Sequence, residues 1–354
     1  MLSPTIFNTQ DLLTRAFNEI LRIDGYAITT QNTFVGKLAS DPDWLTPVRS
    51  RIAMLAKAGA SWTAERPDIW AGVLVPFVDY AAAFGGVAGE APRTAAAWID
   101  LLQEVLMPEL DKAASGTSAA DASLQAHHGE LKSIQPLLAD SINRGWQELA
   151  KEEQQMVEIS AELSHLQDVI AELQSSITST DISTGKAVVQ STVTMLYNVV
   201  SGTAASFSFL SMAGAAFTVG KTFYDIIHNT SEVADTLKQI AVLQLQASEQ
   251  AQAAAGTKLV LQLLYHLELR FGAITNILPQ IVTMWSNERE KLQLVIEALK
   301  SGADPATYFE LATISVANSN WQAIKKFALQ VQAAQTTAGP PVTLDPQQPS
   351  PAAP

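Results

Sequence analysis

The stretch that decides the reading is Lys186–Lys221, KAVVQSTVTMLYNVVSGTAASFSFLSMAGAAFTVGK. Between its terminal lysines there is no Asp, Glu, Lys, Arg or His, in a chain that is 16% charged. Two apolar arms flank a turn at Ser201-Gly202. The first arm carries Val188, Val189, Val193, Met195, Leu196, Tyr197, Val199 and Val200; the second carries Phe207, Phe209, Leu210, Met212, Phe217 and Val219. Gly, Ala, Ser and Thr are spread through both arms, which suits close helix contact in lipid or a pore wall. These apolar residues form the candidate membrane-insertion set, with Lys186 and Lys221 as its flanks.

A buried core hairpin with no membrane role is the plain alternative. Position weighs against it, because the stretch lies midway between two long helical patterns, where few partners exist to bury it. Length weighs for it, since a spanning helix needs about 20 apolar residues and each arm offers roughly fifteen. The arms reach span length only by recruiting Ile182 on one side and Phe223, Tyr224, Ile226 and Ile227 on the other. Lys186 and Lys221 would then snorkel toward headgroups, with Asp225 at the interface. In water the same residues admit another form. Ser206-Phe207-Ser208-Phe209 alternates as a strand does, and Val188, Val189 and Val193 favour extended backbone. A small β-tongue that later refolds to helix is the soluble form this pattern allows.

Working outward, residues 7–39 read mostly as helix. Leu13, Phe17, Ile20, Leu21 and Ile28 supply its apolar stripe, and Asp24-Gly25 is a candidate bend. Val48, Ile52, Leu55, Gly59, Trp62, Arg66, Ile69, Val73, Pro76 and Tyr80 then alternate by four and three residues, the seam of a helix packed on other helices. Arg66, Pro67 and Pro76 interrupt this seam, so a kink or break is expected near Glu65-Arg66-Pro67. Gly85, Gly86 and Gly89 close it, and Pro92 can open the next helix. Residues 91–181 are again helical, with weak points at Pro108, Gly116 and Pro136. Ile142, Leu149, Met156, Leu163, Ile170 and Ile177 recur every seven residues, and Ile159, Leu166 and Leu173 follow three residues behind.

Beyond the hairpin, Val233, Leu237 and Ile240 resume the pattern. It strengthens through Leu263, Leu267, Phe271, Ile274, Leu278, Ile281, Trp285, Leu292, Val295 and Leu299. Asp304 and Pro305 have the N-cap and first-turn positions of a last helix running to about Gln335, burying Phe309, Trp321, Ile324, Phe327 and Val331. Residues 336–354 are rich in Pro, Gln and Ala, and no structure is expected of them.

The organisation expected is thus 1–185, N-terminal helices and the first long coiled-coil helix; 186–221, the hydrophobic head; 222–335, the return helix and a C-terminal helix; and 336–354, a disordered tail. A helix of ~80 residues at ~1.5 Å per residue would be ~120 Å long. Heptads of this length without βαβ alternation give an all-α class, an elongated antiparallel long-helix bundle with a small head.

Bulk properties narrow the function. The 354 residues are 47% hydrophobic and the mean hydropathy is +0.12, which fits neither a disordered chain nor a multi-span membrane protein. The 35 acidic residues outnumber the 22 basic ones, for a net charge of −13. No clustered cationic surface is visible, so a nucleic-acid partner and polybasic docking to anionic lipid are not expected. There is no cysteine, which removes disulfides and thiolate metal sites. Residues 1–10 lack a basic segment followed by an apolar one, so no cleavable signal peptide is expected.

Chemistry is equally sparse. Gly214 to Thr222 approaches the phosphate-loop pattern G-x-x-x-x-G-K-[ST], but Ala215 occupies the first glycine position and no parallel strand precedes it. His127, His128, His165, His228 and His266 show no ligand spacing, and adjacent His127 and His128 point to different helix faces. There is no G-x-S-x-G, and the carboxylates fall on solvated helix faces. Asn229-Thr230-Ser231 fits a glycosylation acceptor, which means little without a secretory signal. No enzyme, cofactor or metal is expected.

Taken in order, these elements resemble the cytolysin A-type α-pore-forming toxins, especially components of haemolysin BL, the non-haemolytic enterotoxin and related multi-part systems. The resemblance is carried by AMLAKAGASWTAERPDIWAGVLVPFVDYAAAF at 53–84, with Trp62 and Pro67, and by the long helix that follows it. The uncharged hairpin, the return helix and SVANSNWQAIKKFALQV at 315–331, with Trp321, complete it. It implies a pore-forming toxin subunit, soluble when released, whose head rearranges at a membrane and which oligomerises into a lytic ring. Residues 187–220 match the tongue by position. The implied partners are target-cell membrane lipid, further copies of the chain, and in multi-part systems one or two homologous components. The implied location is secreted, by a route without a cleavable signal, and then the target-cell membrane. From the residues alone, a secretion-system translocator with a hydrophobic hairpin and a non-membrane coiled-coil scaffold stay open.

Overall fold

Apolar spacing at four and three residues buries long helical seams against one another. The computed structural model describes residues 2–31, 34–35, 40–89, 94–149, 151, 154, 178–183, 190–192, 194–196, 198–199, 211–213, 249–333, 336–338 and 341–343. The helices are α1 (Ile6–Gln31), α2 (Leu45–Gly89), α3 (Ala95–Leu101), α4 (Met107–Gln147), α5 (Ser179–Ser183), α6 (Glu249–Lys300), α7 (Ala306–Phe309) and α8 (Leu311–Ala333). A single π-helical turn, Leu102–Leu106, joins α3 to α4. The fold is all-α, and α6, at 52 residues, is ~78 Å long.

Side-chain pairs give the directions. α2 and α4 run antiparallel, since Asp79 meets Lys112 while Glu65 meets His127. α4 and α6 do the same, with Arg289 on Asp111 at one end and Lys258 over the Trp146 ring at the other. α1 lies against α2, α6 and α8, and α8 also packs on α2. Eight of the ten α2 seam positions are buried, Arg66 and Pro76 being the exceptions. On α6, every seam residue named above from Leu267 to Leu299 is buried.

The deepest part of the core is aromatic. Trp285 lies 4.5 Å from Phe77, 5.9 Å from Tyr80 and 5.8 Å from Trp321, centroid to centroid. Higher in the bundle, Trp62 meets Phe271 edge-on at 5.2 Å. Polar clasps tie the chain's start to this core: the Trp321 indole donates to the Leu2 carbonyl at 3.0 Å, and Asn320 donates to the Ser3 hydroxyl. α2 also passes one test for a membrane-crossing helix by length and composition, yet its apolar seam is the bundle core.

Several expectations are corrected. α2 is not broken at Glu65-Arg66-Pro67 but continues through Pro67 and Pro76. α1 likewise runs unbroken past the candidate bend at Asp24-Gly25. The Asp24 carboxylate accepts from the Trp62 indole at 2.9 Å and pairs with Arg66 at 3.0 Å, so the two apparent interruptions face and satisfy each other. The first helix stops at Gln31 instead of Ala39. The last helix divides at Glu310, whose extended ψ of 136° separates α7 from α8; Phe309 is only partly buried and stacks on Trp98 at 3.9 Å. The helix begins at Ala306 with Pro305, not Asp304, at its N-cap position; the Asp304 side chain still accepts from the Ala306 amide at 2.9 Å. Most of the 142–177 heptad series lies outside the described residues; Ile142 and Leu149 are buried.

Two substitutions test these contacts. Burial pushes the Asp24 pKa up to about 6, outweighing the lowering pull of Arg66 and the Trp62 hydrogen bond. The raised value means the folded state binds the proton more tightly, so this contribution is complete below the unfolded pKa of 3.8 and is lost as pH rises through about 6. The parent should therefore gain roughly 1–1.5 kcal/mol relative to Asp24→Asn between pH 7.5 and pH 5, read as denaturant midpoints. A constant difference across that window would contradict the assignment. Separately, Gly59 lets α1 and α2 approach closely: a Cβ there would strike the Thr30 hydroxyl and lie 2.8 Å from the Ala27 carbonyl oxygen. Gly59→Ala gains about 1 kcal/mol of helix propensity but overpacks backbone at about 1–3 kcal/mol, so the net effect on thermal unfolding is destabilising.

Candidate membrane-insertion head

The uncharged stretch is rich in β-branched residues, and where the structure describes it the backbone is extended. Its strands are β2 (Gln190–Thr192), β3 (Thr194–Leu196), β4 (Asn198–Val199) and β5 (Ser211–Ala213). Outside it lie β1 (Phe34–Val35), β6 (Thr336–Ala338) and β7 (Pro341–Thr343). The two arms pair: β3 runs antiparallel to β5, with Met195 opposite Met212, Thr194 opposite Ala213 and Leu196 opposite Ser211. β5 pairs in turn with β7, also antiparallel, giving the order β3-β5-β7. β2 pairs in parallel with β6, and β4 in parallel with β1. β3 lies against α1, and β4 against α6.

Met195, Leu196, Val199 and Met212 of the candidate set are therefore placed, and Met195 and Met212 face each other across the ladder. Val188, Val189, Val193, Tyr197, Val200, Phe207, Phe209, Leu210, Phe217 and Val219 lie outside the described residues, as do Lys186, Lys221 and the turn at Ser201-Gly202. So does the near-phosphate loop. A symmetric turn at Ser201-Gly202 would put Ser208 opposite Met195; the observed partner is Met212, four residues further on. Between the paired segments, β4 pairs not with the second arm but with Phe34 and Val35.

The second correction concerns 336–354. Expected to lack structure, this tail supplies two of the strands that hold the head, at 336–338 and 341–343; the rest of it lies outside the described residues. Thr336, Thr337, Val342 and Thr343 are β-branched, and Pro341 stands at the first position of an outer strand, where a missing N–H is tolerated. That local signal was present in the sequence, beneath a composition that reads as disorder.

Of the five histidines, His165 and His228 lie outside the described residues. His127 is buried with its Nε2 3.3 Å from Glu65, and His128 is 3.9 Å from Glu268 across α4 and α6. Among the described residues, no three His, Asp or Glu side chains gather to hold an ion.

No family model matches the chain, and comparison with curated proteins gives no match. Solved structures do match. Motility Associated Killing Factor B from Vibrio cholerae is 34% identical, with 96% of each chain covered and a TM-score of 0.82. A structure of the cytotoxin MakB from Vibrio cholerae gives 36% identity, 96% of each chain and a TM-score of 0.83. Soluble SmhA of the tripartite α-pore forming toxin Smh from Serratia marcescens shares the fold at 15% identity, covering 94% of this chain and 95% of its own, with a TM-score of 0.70.

Proposed function

The chain belongs to the α-pore-forming toxin family that includes the MakB cytotoxin, and from that membership we propose that it is a pore-forming subunit whose head rearranges at a target membrane. It is released in soluble form, inserts the 187–220 tongue and oligomerises into a lytic pore, alone or with one or two homologous components. The carrying observation is the uncharged stretch whose arms are stored as an antiparallel β3–β5 ladder beside a helical bundle. Such short strands cannot enter lipid as they stand, because an open sheet edge leaves N–H and C=O groups without partners there. Insertion therefore requires conversion to helix or closure into a barrel. The reading needs no cofactor, metal or catalytic step. Purified protein, alone and with the products of neighbouring genes, should release dye from liposomes; folded protein that releases none under either condition overturns it.

A further inference from the structure

We propose that the strands β6 (Thr336–Ala338) and β7 (Pro341–Thr343) are a strap that keeps the tongue in its stored form and must detach before the tongue can refold; the inference rests on the tongue reading above. Strand β6 holds Gln190–Thr192 of the first arm, and β7 holds Ser211–Ala213 of the second, so one short segment grips both arms. That segment follows directly from α8, which ends at Ala333 and is anchored in the core by Trp321, Ile324, Phe327 and Val331. The grip therefore lies close in sequence to a helix buried in the bundle core.

The energetics give the strap its leverage. Two short paired strands are marginal in water, and a third strand or a packed helix is needed for them to persist. β7 is that third strand, and it also covers an edge of β5 that would otherwise be open to pairing with another chain. Detaching it leaves β3–β5 as a two-stranded ladder of three residue pairs whose remaining support is α1 against β3. Leaving it attached blocks insertion, because neither arm can become helical while bonded to a strand held at the end of α8.

Hydrogen exchange in solution tests the grip without any membrane. Successive N–H groups along a strand point to opposite sides, so Val342→Pro/Thr343→Pro in the full chain removes at least one donor between β7 and β5. The amides of Ser211–Ala213 should then exchange at least tenfold faster, with those around Leu278 unchanged. Unchanged exchange at Ser211–Ala213 overturns the strap.

A reversible lock tests the need for release. The chain has no cysteine, and Met212 and Val342 are direct partners, so Met212→Cys/Val342→Cys introduces one pair at a separation of ~4.5–5.5 Å between Cα atoms, within disulfide range. Oxidation should close the bond and cut dye release at least tenfold, and reduction should restore it. A pair that stays unlinked under oxidant overturns the strand pairing. Equal release when oxidised and reduced overturns the strap but leaves the pore reading standing. No release from the parent chain, alone and with the products of neighbouring genes, overturns the pore reading instead, and the exchange result then decides the strap by itself.

Discussion

Phe209→Asp should abolish dye release while leaving the thermal unfolding of the bundle unchanged. A carboxylate at the middle of an inserted helix costs ~2.5–3.5 kcal/mol on insertion scales, a factor of roughly 10² per subunit, and an oligomeric pore meets that cost in every subunit. Val193→Asp on the other arm should act alike, because both arms must enter together. The bundle makes the experiment readable. Its core is built from α1, α2, α4, α6 and α8, and the seams of α2 and α6 hold no residue from 187–220. Leakage that persists in both variants, at parental rates, would remove the tongue from the mechanism. Loss of leakage together with a lower unfolding temperature would mean that folding, not insertion, had been damaged.

The largest expected effect on stability lies at the other end of the molecule. Trp285→Ala should lower unfolding free energy by about 3–5 kcal/mol, as for other fully buried large aromatics. The side chain is 0% exposed and touches α2 through Phe77 and Tyr80, and α8 through Trp321. Removing it opens a cavity shared by three helices, which cannot all relax inward at once. Trp285→Phe should cost much less. It keeps a ring in place and removes an indole N–H that has no hydrogen-bond partner among the described residues. Denaturant titration of the two variants checks the ordering; equal losses would mean the contribution is not one of packing.

The helices were legible because each reports its own period. Val48 to Tyr80 declares a seam by spacing alone, and so does Leu267 to Leu299 on α6. Charge on such a seam was harder to read. Asp24 and Arg66 each looked like a fault, since a single helix gives no sign that its fault has a partner on another helix. Pro67 illustrates the same limit: propensity argues for a break, and packing along both flanks of α2 overrides it. In the head, composition marked out 187–220 and its β-branched residues allowed strands. The pairing scheme was out of reach because Thr194–Leu196, Ser211–Ala213 and Pro341–Thr343 are distant in the chain and brought together only by the fold.

That distance also fixes an order of events at birth. The third strand of the β3-β5-β7 sheet begins 128 residues after the second one ends. At roughly 5–20 residues per second of synthesis, the arms wait about 6–26 s for the strand that completes their sheet. Pairing of such high contact order is slow even after all its parts exist. The longest uncharged segment of the chain is thus the last to have its sheet completed, and on the proposed reading a half-built tongue stands exposed until translation reaches Thr343.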